Sequence, residues 1–130
     1  MQPDARRFCR LAAAMLALAT LLGALGTHAL RARLSSDRYE VLQTALHYQY
    51  FHSLGLLGLG LLLDKWPTRA LRAAGWLLFS GVVLFSGSLY LIIAGAPHMI
   101  GILTPIGGLS LIIAWCLTAF ALRPVARQNH

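Results

Sequence analysis

Long stretches without a charged residue are the feature that most constrains how this chain folds. The first runs from Phe8 to Leu30 and carries no charge between Arg10 and Arg31, and three further apolar stretches follow it. A helix needs about 20 apolar residues to cross the core of a bilayer. Hydrophobic residues make up 58% of the chain and charged residues 12%, whereas soluble domains average about 45–50% and about 25%. A soluble domain of 130 residues cannot bury so much apolar surface.

The four apolar stretches predict an all-α fold, an integral membrane four-helix bundle that forms a single domain over residues 1–130. The predicted spans cover approximately residues 8–30, 41–63, 73–95 and 98–122. The strictly apolar part of the second stretch, Tyr48 to Leu63, is shorter than a bilayer requires. We therefore expect its helix to begin earlier, near Tyr39, with its first turns at the membrane surface.

The first apolar stretch has two interpretations, a cleavable signal peptide or a retained membrane helix. The arginines before the first span and the small residues around Thr27-His28-Ala29 resemble a cleavable signal peptide, but the apolar run exceeds the usual signal core of about 7–15 residues. We expect a retained helix.

The start of the fourth helix has two interpretations. The helix starts either at Thr104, which would cap it, or at Pro97 or His98 with a kink at Pro105. We favour the start at Pro97 or His98. For the third helix, Thr68 is the predicted cap.

The basic residues predict the orientation in the membrane. The chain has 11 Lys and Arg against 4 Asp and Glu, and they flank the apolar runs, so we expect them to face lipid headgroups and not nucleic acid. An even number of spans puts the N-terminus, the second connection and the C-terminus on one side. That side would carry Arg6, Arg7, Arg10, Lys65, Arg69, Arg72, Arg123 and Arg127, and the other Arg31, Arg33 and Arg38. The positive-inside rule then predicts a multi-pass membrane protein with both termini cytoplasmic.

Small residues predict where the helices pack, because membrane helices associate through close contact. In the third span, Ala73, Ser80, Gly87 and Ala94 recur every seven residues, and Ala74, Gly81, Ser88 and Gly95 form a second row beside them. The residues predicted to serve packing are Ser80, Gly81, Gly87, Gly107 and Gly108. A solute path lined by the same small residues is the alternative.

Polar residues near the predicted outer ends of the helices form the candidate site. Polar groups within a membrane are costly and often functional. The seven candidates are His28, Gln49, His52, Ser86, Ser88, Tyr90 and Thr104. Either they hydrogen-bond one another and free backbone carbonyls and so join the helices, which we favour, or they bind a small molecule, an ion, a metal or a haem.

Catalytic and metal-binding patterns receive little support. His47 and His52 point about 140° apart on a helix, so they do not form a metal-binding pair. All four acidic residues lie in predicted tails or loops, which leaves no paired carboxylates and no intramembrane acid for a proton relay. We expect no enzyme activity, no metal and no cofactor.

Four segments resemble one protein family. They are Gly23-Ala24-Leu25-Gly26-Thr27-His28-Ala29-Leu30, Tyr48-Gln49-Tyr50-Phe51-His52-Ser53-Leu54, Phe85-Ser86-Gly87-Ser88-Leu89-Tyr90, and Thr104-Pro105-Ile106-Gly107-Gly108 followed by Trp115. In order along almost the whole chain, they resemble the YgdD-like family of small bacterial inner-membrane proteins with a domain of unknown function. Leu25 and Thr27 depart conservatively from the family's usual Gly-Ala-Phe-Gly-Ala-His. The resemblance implies four membrane helices, no settled activity, and motif positions that coincide with the seven candidates.

Two functions remain open at this point. The leading hypothesis is a non-enzymatic accessory or interaction component whose partner is another membrane protein or a second copy of the chain. The alternative is a protein that binds or transports a small solute, an ion or a quinone, using the seven polar candidates and the groove of small residues.

Overall fold

Four long helices make up the structure, a computed structural model that describes residues 1–125. They are α1 (Pro3–Leu25), α2 (Ser36–Lys65), α3 (Arg69–Ile93) and α4 (Leu103–Ala121), and no strand occurs in this part of the chain. A π-helical turn, Gly26–Leu30, extends α1, and a short 3-10 helix, His98–Ile102, leads into α4. Arg127, counted above among the basic residues of one side, lies outside the described residues.

Three of these helical segments are long and apolar enough to cross a membrane. They are Pro3–Leu30, Arg69–Ile93 and His98–Ala121. The second helix, α2, is not among them, because its residues 43–52 include the polar side chains Gln43, Thr44, His47, Gln49 and His52. The predicted class, an all-α integral membrane four-helix bundle, is confirmed.

Local side-chain chemistry explains where the helices start and stop. The second helix starts before Tyr39, at Ser36, because the Ser35 hydroxyl accepts a hydrogen bond from the backbone N–H of Arg38 at 3.3 Å. Thr68 caps α3 as predicted and accepts from the N–H of Leu71 at 3.1 Å. The third helix ends where Gly95 takes a φ of +102°, the left-handed conformation that glycine adopts readily.

The fourth helix has the earlier of the two starts considered. Helical structure begins at His98 as a 3-10 turn and continues as α-helix from Leu103. Thr104 is therefore not a cap. Its hydroxyl lies 2.5 Å from that of Ser88 on α3 and forms a hydrogen bond between the two helices.

The helices pack in chain order, with α1 against α2, α2 against α3 and α3 against α4. The main core is apolar and includes Phe8 of α1, Leu56 of α2, Leu78 of α3 and Leu111 of α4. At the start of α1, a carboxylate oxygen of Asp4 accepts from Arg72 on α3 at 2.6 Å. The N-terminus of α1 thus lies at the same end of the bundle as the start of α3, which we call the arginine end.

The small residues of α3 pack unequally. Ala74, Gly81 and Ser88 are buried, whereas Ala73 and Ala94 of the other row are exposed. A Cβ on Gly81 would lie 3.1 Å from the carbonyl oxygen of Gly107, so α3 and α4 approach closely here. Gly87 is a correction to the predicted packing set. A Cβ there would meet nothing within 4 Å, because this row faces away from α4.

The remaining two packing predictions concern Ser80 and Gly108, and neither marks a close approach between backbones. Ser80 is half-buried, and its hydroxyl donates to the carbonyl of Leu77 within its own helix at 3.3 Å. A Cβ on Gly108 would make an ordinary contact of 3.7 Å with the ring of Phe85. The close approach of α3 and α4 therefore depends on Gly81 and Gly107.

Candidate functional site

Gln49 joins three helices through its side-chain amide. The side chain is buried, and Gln49 is the 14th of the 30 residues of α2. Its Nε2 donates to the carbonyl of Met15 on α1 at 2.8 Å, and its Oε1 accepts from the hydroxyl of Tyr90 on α3 at 2.6 Å. Without these two hydrogen bonds the buried amide would have no partners between the apolar helices. The bonds offset the free-energy cost of removing the amide from water.

Two serines of α3 connect it to its neighbours on either side. The Ser86 hydroxyl donates to the backbone carbonyl of Ala45 on α2 at 2.7 Å. The hydroxyl of Ser88, two residues further along, donates to the Phe85 carbonyl of its own helix at 2.9 Å. It also forms a hydrogen bond with the hydroxyl of Thr104 on α4. Both serines are buried. Hydroxyls of this kind are a usual means by which membrane helices hold together.

His52 lies in a separate aromatic cluster between α2, α3 and α4. The indole N–H of Trp115 donates to Nδ1 of His52 at 3.1 Å. The ring of Tyr48 stacks on that of Phe85 with centroids 3.9 Å apart and lies 5.5 Å from the imidazole. Since Nδ1 accepts a hydrogen bond, the neutral imidazole carries its proton on Nε2.

His28 does not join the other candidates. It lies in the π-helical turn Gly26–Leu30 and is exposed, and within residues 1–125 it takes part in no hydrogen bond that links helices. The neighbouring hydroxyl, that of Thr27, donates back to the carbonyl of Gly23 at 3.0 Å. His47 is also exposed, and it faces Phe51 of its own helix with ring centroids 6.2 Å apart.

The seven candidates therefore separate into bonded groups and do not form one site. Gln49 with Tyr90, Ser88 with Thr104, and His52 with Trp115 each form a side-chain pair, and Ser86 bonds to backbone. Gln49 and His52 lie near the middle of α2, with His52 the 17th of its 30 residues. His28 lies beyond the end of α1. The candidates thus occupy different levels of the bundle.

Two cavities adjoin these groups. One, of about 190 Å³, is bounded by Met15 of α1, Gln49 of α2, and Ser86, Gly87 and Tyr90 of α3, with valine and leucine side chains beside them. The other, of about 240 Å³, lies in the aromatic cluster and is lined by Tyr48, His52, Phe85, Gly108, Leu111, Ile112 and Trp115. Among the described residues, no three His, Cys, Asp or Glu side chains are grouped so as to hold a metal ion.

Three participants lie outside the seven candidates. Trp115 stands in a family motif. Ser110 recurs with Ala114 and Thr118 at four-residue spacing, which indicates helix packing, and its hydroxyl donates to the carbonyl of Leu77 on α3 at 2.7 Å. Ser53 is fully buried on α2, and its hydroxyl has no hydrogen-bond partner within the described part of the chain. Serines in apolar runs are a usable indication for the last two, but nothing local pairs Trp115 with His52.

The fold and these interhelical bonds define a helical integral membrane protein whose buried polar groups connect its helices. A family model described as a protein of unknown function, DUF423, matches residues 22–108. The chain belongs to this family, and the predicted YgdD-like resemblance is confirmed. All seven candidate residues fall within the matched range.

Individual relatives agree with this assignment. The chain is 39% identical over 105 residues to the UPF0382 membrane protein YwdK of Bacillus subtilis, covering 80% of this chain and 85% of that protein. It is 42% identical over 108 residues to a UPF0382 membrane protein of Staphylococcus epidermidis, covering 83% and 86%. With the inner membrane protein YgdD of Escherichia coli it shares 35% over 102 residues, covering 74% and 73%. No solved structure matches the chain.

Proposed function

We propose that the chain is a non-enzymatic protein of the bacterial inner membrane that acts as an accessory or interaction component of a membrane assembly. The observation that carries this proposal is the pairing of five buried or half-buried polar side chains across the helices. Gln49, Tyr90, Ser86, Ser88 and Thr104 bond one another or a backbone carbonyl on a neighbouring helix. Groups held in this way stabilise a bundle and are not free to act on a substrate.

Four membrane crossings are part of the proposal. The polar residues that lower the hydropathy of α2 include Gln49, which is buried between α1 and α3 and does not face lipid. Two flanking segments, Pro3–Leu30 and Arg69–Ile93, are apolar enough to span. A helix packed along both of them for most of its length crosses the bilayer with them.

The charge distribution supports cytoplasmic termini. The arginine end carries Arg6, Arg7 and Arg10 together with Lys65, Arg69 and Arg72 of the α2–α3 connection, and the opposite end carries Arg31, Arg33 and Arg38. Asp37 and Glu40 accompany that second group. Because Lys and Arg concentrate in cytoplasmic loops, we place the arginine end in the cytoplasm, where its cations face lipid headgroups and not nucleic acid.

The outward faces of α1 and α4 are the surfaces that we propose for a partner. Each of these helices packs in the main on a single neighbour, α1 on α2 and α4 on α3. On α4 the exposed side chains include Ile106, Leu109 and Ile113. The partner would be a helix of another membrane protein or a second copy of the chain.

Site-specific photo-crosslinking in native membranes tests the accessory role. A photoreactive residue at Leu109, which faces outward on α4, is expected to give one defined protein adduct. The matched control is the same residue at Phe51, an exposed position on α2, and we expect no such adduct there. Equal adduct patterns at both positions, or purification as a monomer with no adduct at either, would contradict the accessory role.

A second candidate function, binding of a small planar ligand such as a quinone, is favoured by the His52 cavity. Its aromatic walls suit a ring, and a neutral His52 protonated on Nε2 offers one hydrogen-bond donor for a carbonyl. Quenching of tryptophan fluorescence by a soluble quinone analogue distinguishes ligand binding at His52 from a purely structural role of this residue. Saturable quenching that His52→Ala abolishes without loss of helicity supports binding, whereas a lower Tm with no saturable quenching supports a structural role.

A further inference from the structure

The arginine end contains a cavity that none of the interhelical hydrogen bonds uses. Its volume is about 400 Å³, and it is lined by Arg7, Arg10, Leu11 and Ala14 of α1 and by Trp76 of α3. The four α1 residues follow one another at helical spacing, so they share one face of that helix. The cavity is thus basic at one end and apolar along the rest of its wall.

Packing holds the aromatic wall of this cavity in place. Phe8 of α1 is fully buried and forms a T-shaped pair with Trp76, with ring centroids 5.2 Å apart and ring planes at 75°. It fits because Gly75 leaves room, since a Cβ at that position would overlap the Phe8 ring. Tryptophan is enriched at the level of lipid headgroups, where its ring is apolar and its N–H is polar.

The two arginines differ in how far their charge is already balanced. Asp4 accepts from Arg7 at 3.3 Å, but its other oxygen accepts from Arg72 at the shorter distance of 2.6 Å. Arg10 forms no ion pair within residues 1–125. Arg10 therefore has no carboxylate partner among the described residues, and Arg7 shares its partner, Asp4, with Arg72. Both arginines lie next to an apolar wall that continues into the membrane-spanning part of α1.

We propose that this cavity binds the headgroup of an anionic phospholipid. The phosphate would lie against Arg7 and Arg10, and the start of an acyl chain would lie along Leu11 and Ala14 beside Trp76. Basic pockets between helices at a membrane surface are suited to anionic headgroups. The proposal rests on insertion of the bundle in a membrane and not on the accessory role, so either can fail without the other.

Fluorescence quenching by brominated lipids tests the site locally. In the Trp66→Phe/Trp115→Phe protein, Trp76 is the remaining tryptophan. We expect brominated phosphatidylglycerol in phosphatidylcholine vesicles to quench Trp76 more strongly than brominated phosphatidylcholine at the same mole fraction. A basic residue near an anionic surface contributes about fivefold in affinity. Arg10→Gln should lower the preference for the anionic lipid by about that factor, and Arg7→Gln by less.

The control removes equal charge at the same end of the bundle. Arg6→Gln/Arg69→Gln removes two exposed arginines that do not line the cavity, and it should lower the preference clearly less than Arg7→Gln/Arg10→Gln does. An equal loss in the control and in Arg7→Gln/Arg10→Gln would overturn the site in favour of general surface charge. So would equal quenching by both lipids in the parent protein.

Two further measurements complete the test. Inorganic phosphate, compared with sodium chloride of equal ionic strength, should not reduce the preference, and a specific reduction by phosphate would overturn the assignment to a lipid. If the Trp115→Phe change prevents folding, native mass spectrometry of the delipidated wild-type chain replaces the fluorescence assay. Selective retention of phosphatidylglycerol over phosphatidylcholine, lost in Arg7→Gln/Arg10→Gln, supports the site, and equal retention overturns it.

Discussion

Gln49 is the residue on which the internal hydrogen bonding most depends, because one amide connects α1, α2 and α3. Its two bonds, to the Met15 carbonyl and from the Tyr90 hydroxyl, lie where only 3% of the residue is exposed. Water cannot replace a lost partner at such a position, so the remaining partner is left unsatisfied. Interhelical hydrogen bonds in membrane proteins nevertheless average only about 0.6 kcal/mol, so a pairwise measurement is needed.

A double-mutant cycle on Gln49 and Tyr90 measures the coupling energy between these two side chains. We expect Gln49→Leu and Tyr90→Phe each to lower the free energy of unfolding by about 1 kcal/mol. The double variant should lose less than the sum, with a coupling energy of about 0.6 kcal/mol, measured by denaturant titration in mixed micelles. Tyr48→Phe is the matched control, because the Tyr48 ring stacks on Phe85 but its hydroxyl forms no hydrogen bond within residues 1–125. Strictly additive losses would contradict the pairing.

The sequence identifies most of the bonded polar residues but not their partners. Gln49 and Tyr90 stand out because polar side chains are rare in apolar runs, yet they are 41 positions apart, and Trp115 and His52 are 63 apart. Helical periodicity relates residues within one helix and says nothing about which residue of another helix lies opposite. His28 is also a polar residue of an apolar run, but it lies exposed beyond the end of α1 and, within the described residues, forms no hydrogen bond to another helix.

At the scale of the elements, α3 and α4 illustrate what repeats in a sequence can and cannot predict. Two adjacent rows of small residues occur on α3, about 100° apart around its axis. Only the row with Ala74, Gly81 and Ser88 is buried. For a soluble helix the polar face would indicate the outer side. Lipid is as apolar as the bundle interior, so composition does not distinguish the row that meets α4 from the row that meets α1 or lipid.

Alanine substitutions in the two rows should therefore have very different effects. A Cβ on Gly107 would lie 2.5 Å from the backbone nitrogen of Phe85 and 2.8 Å from the carbonyl oxygen of Gly81. Backbone atoms cannot yield without separating α3 from α4, so Gly107→Ala should lower the free energy of unfolding by about 1–3 kcal/mol. Gly87→Ala, where the new methyl meets open space, should leave it unchanged or raise it. Unfolding titrations of both variants check this, and equal losses would contradict the packing.

At the scale of the whole molecule, the connections between helices gather at two ends that differ in charge. The Gln2 backbone N–H donates to Asp64 at the end of α2 at 2.8 Å, and Asp4 pairs with Arg72 of α3. These contacts bring the start of α1 to the α2–α3 connection, as the predicted even number of crossings requires. The sequence predicts that successive helices run in opposite directions. Each apolar run is long enough to form one helix, and helices joined by short connections pack antiparallel.

Cysteine labelling measures the number of crossings and the orientation together. In a Cys9→Ser/Cys116→Ser background, single cysteines replace Ser36, Ala94, Pro67 or Pro124, all of which are exposed at helix ends. A membrane-impermeant maleimide should label Ser36→Cys and Ala94→Cys in cells whose inner membrane is intact. It should label Pro67→Cys and Pro124→Cys only after permeabilisation, because we propose that the arginine end lies in the cytoplasm. Labelling of Ser36→Cys and Pro67→Cys from the same side would mean that α2 does not cross the membrane, and a reversed pattern would mean that the basic residues do not set the orientation.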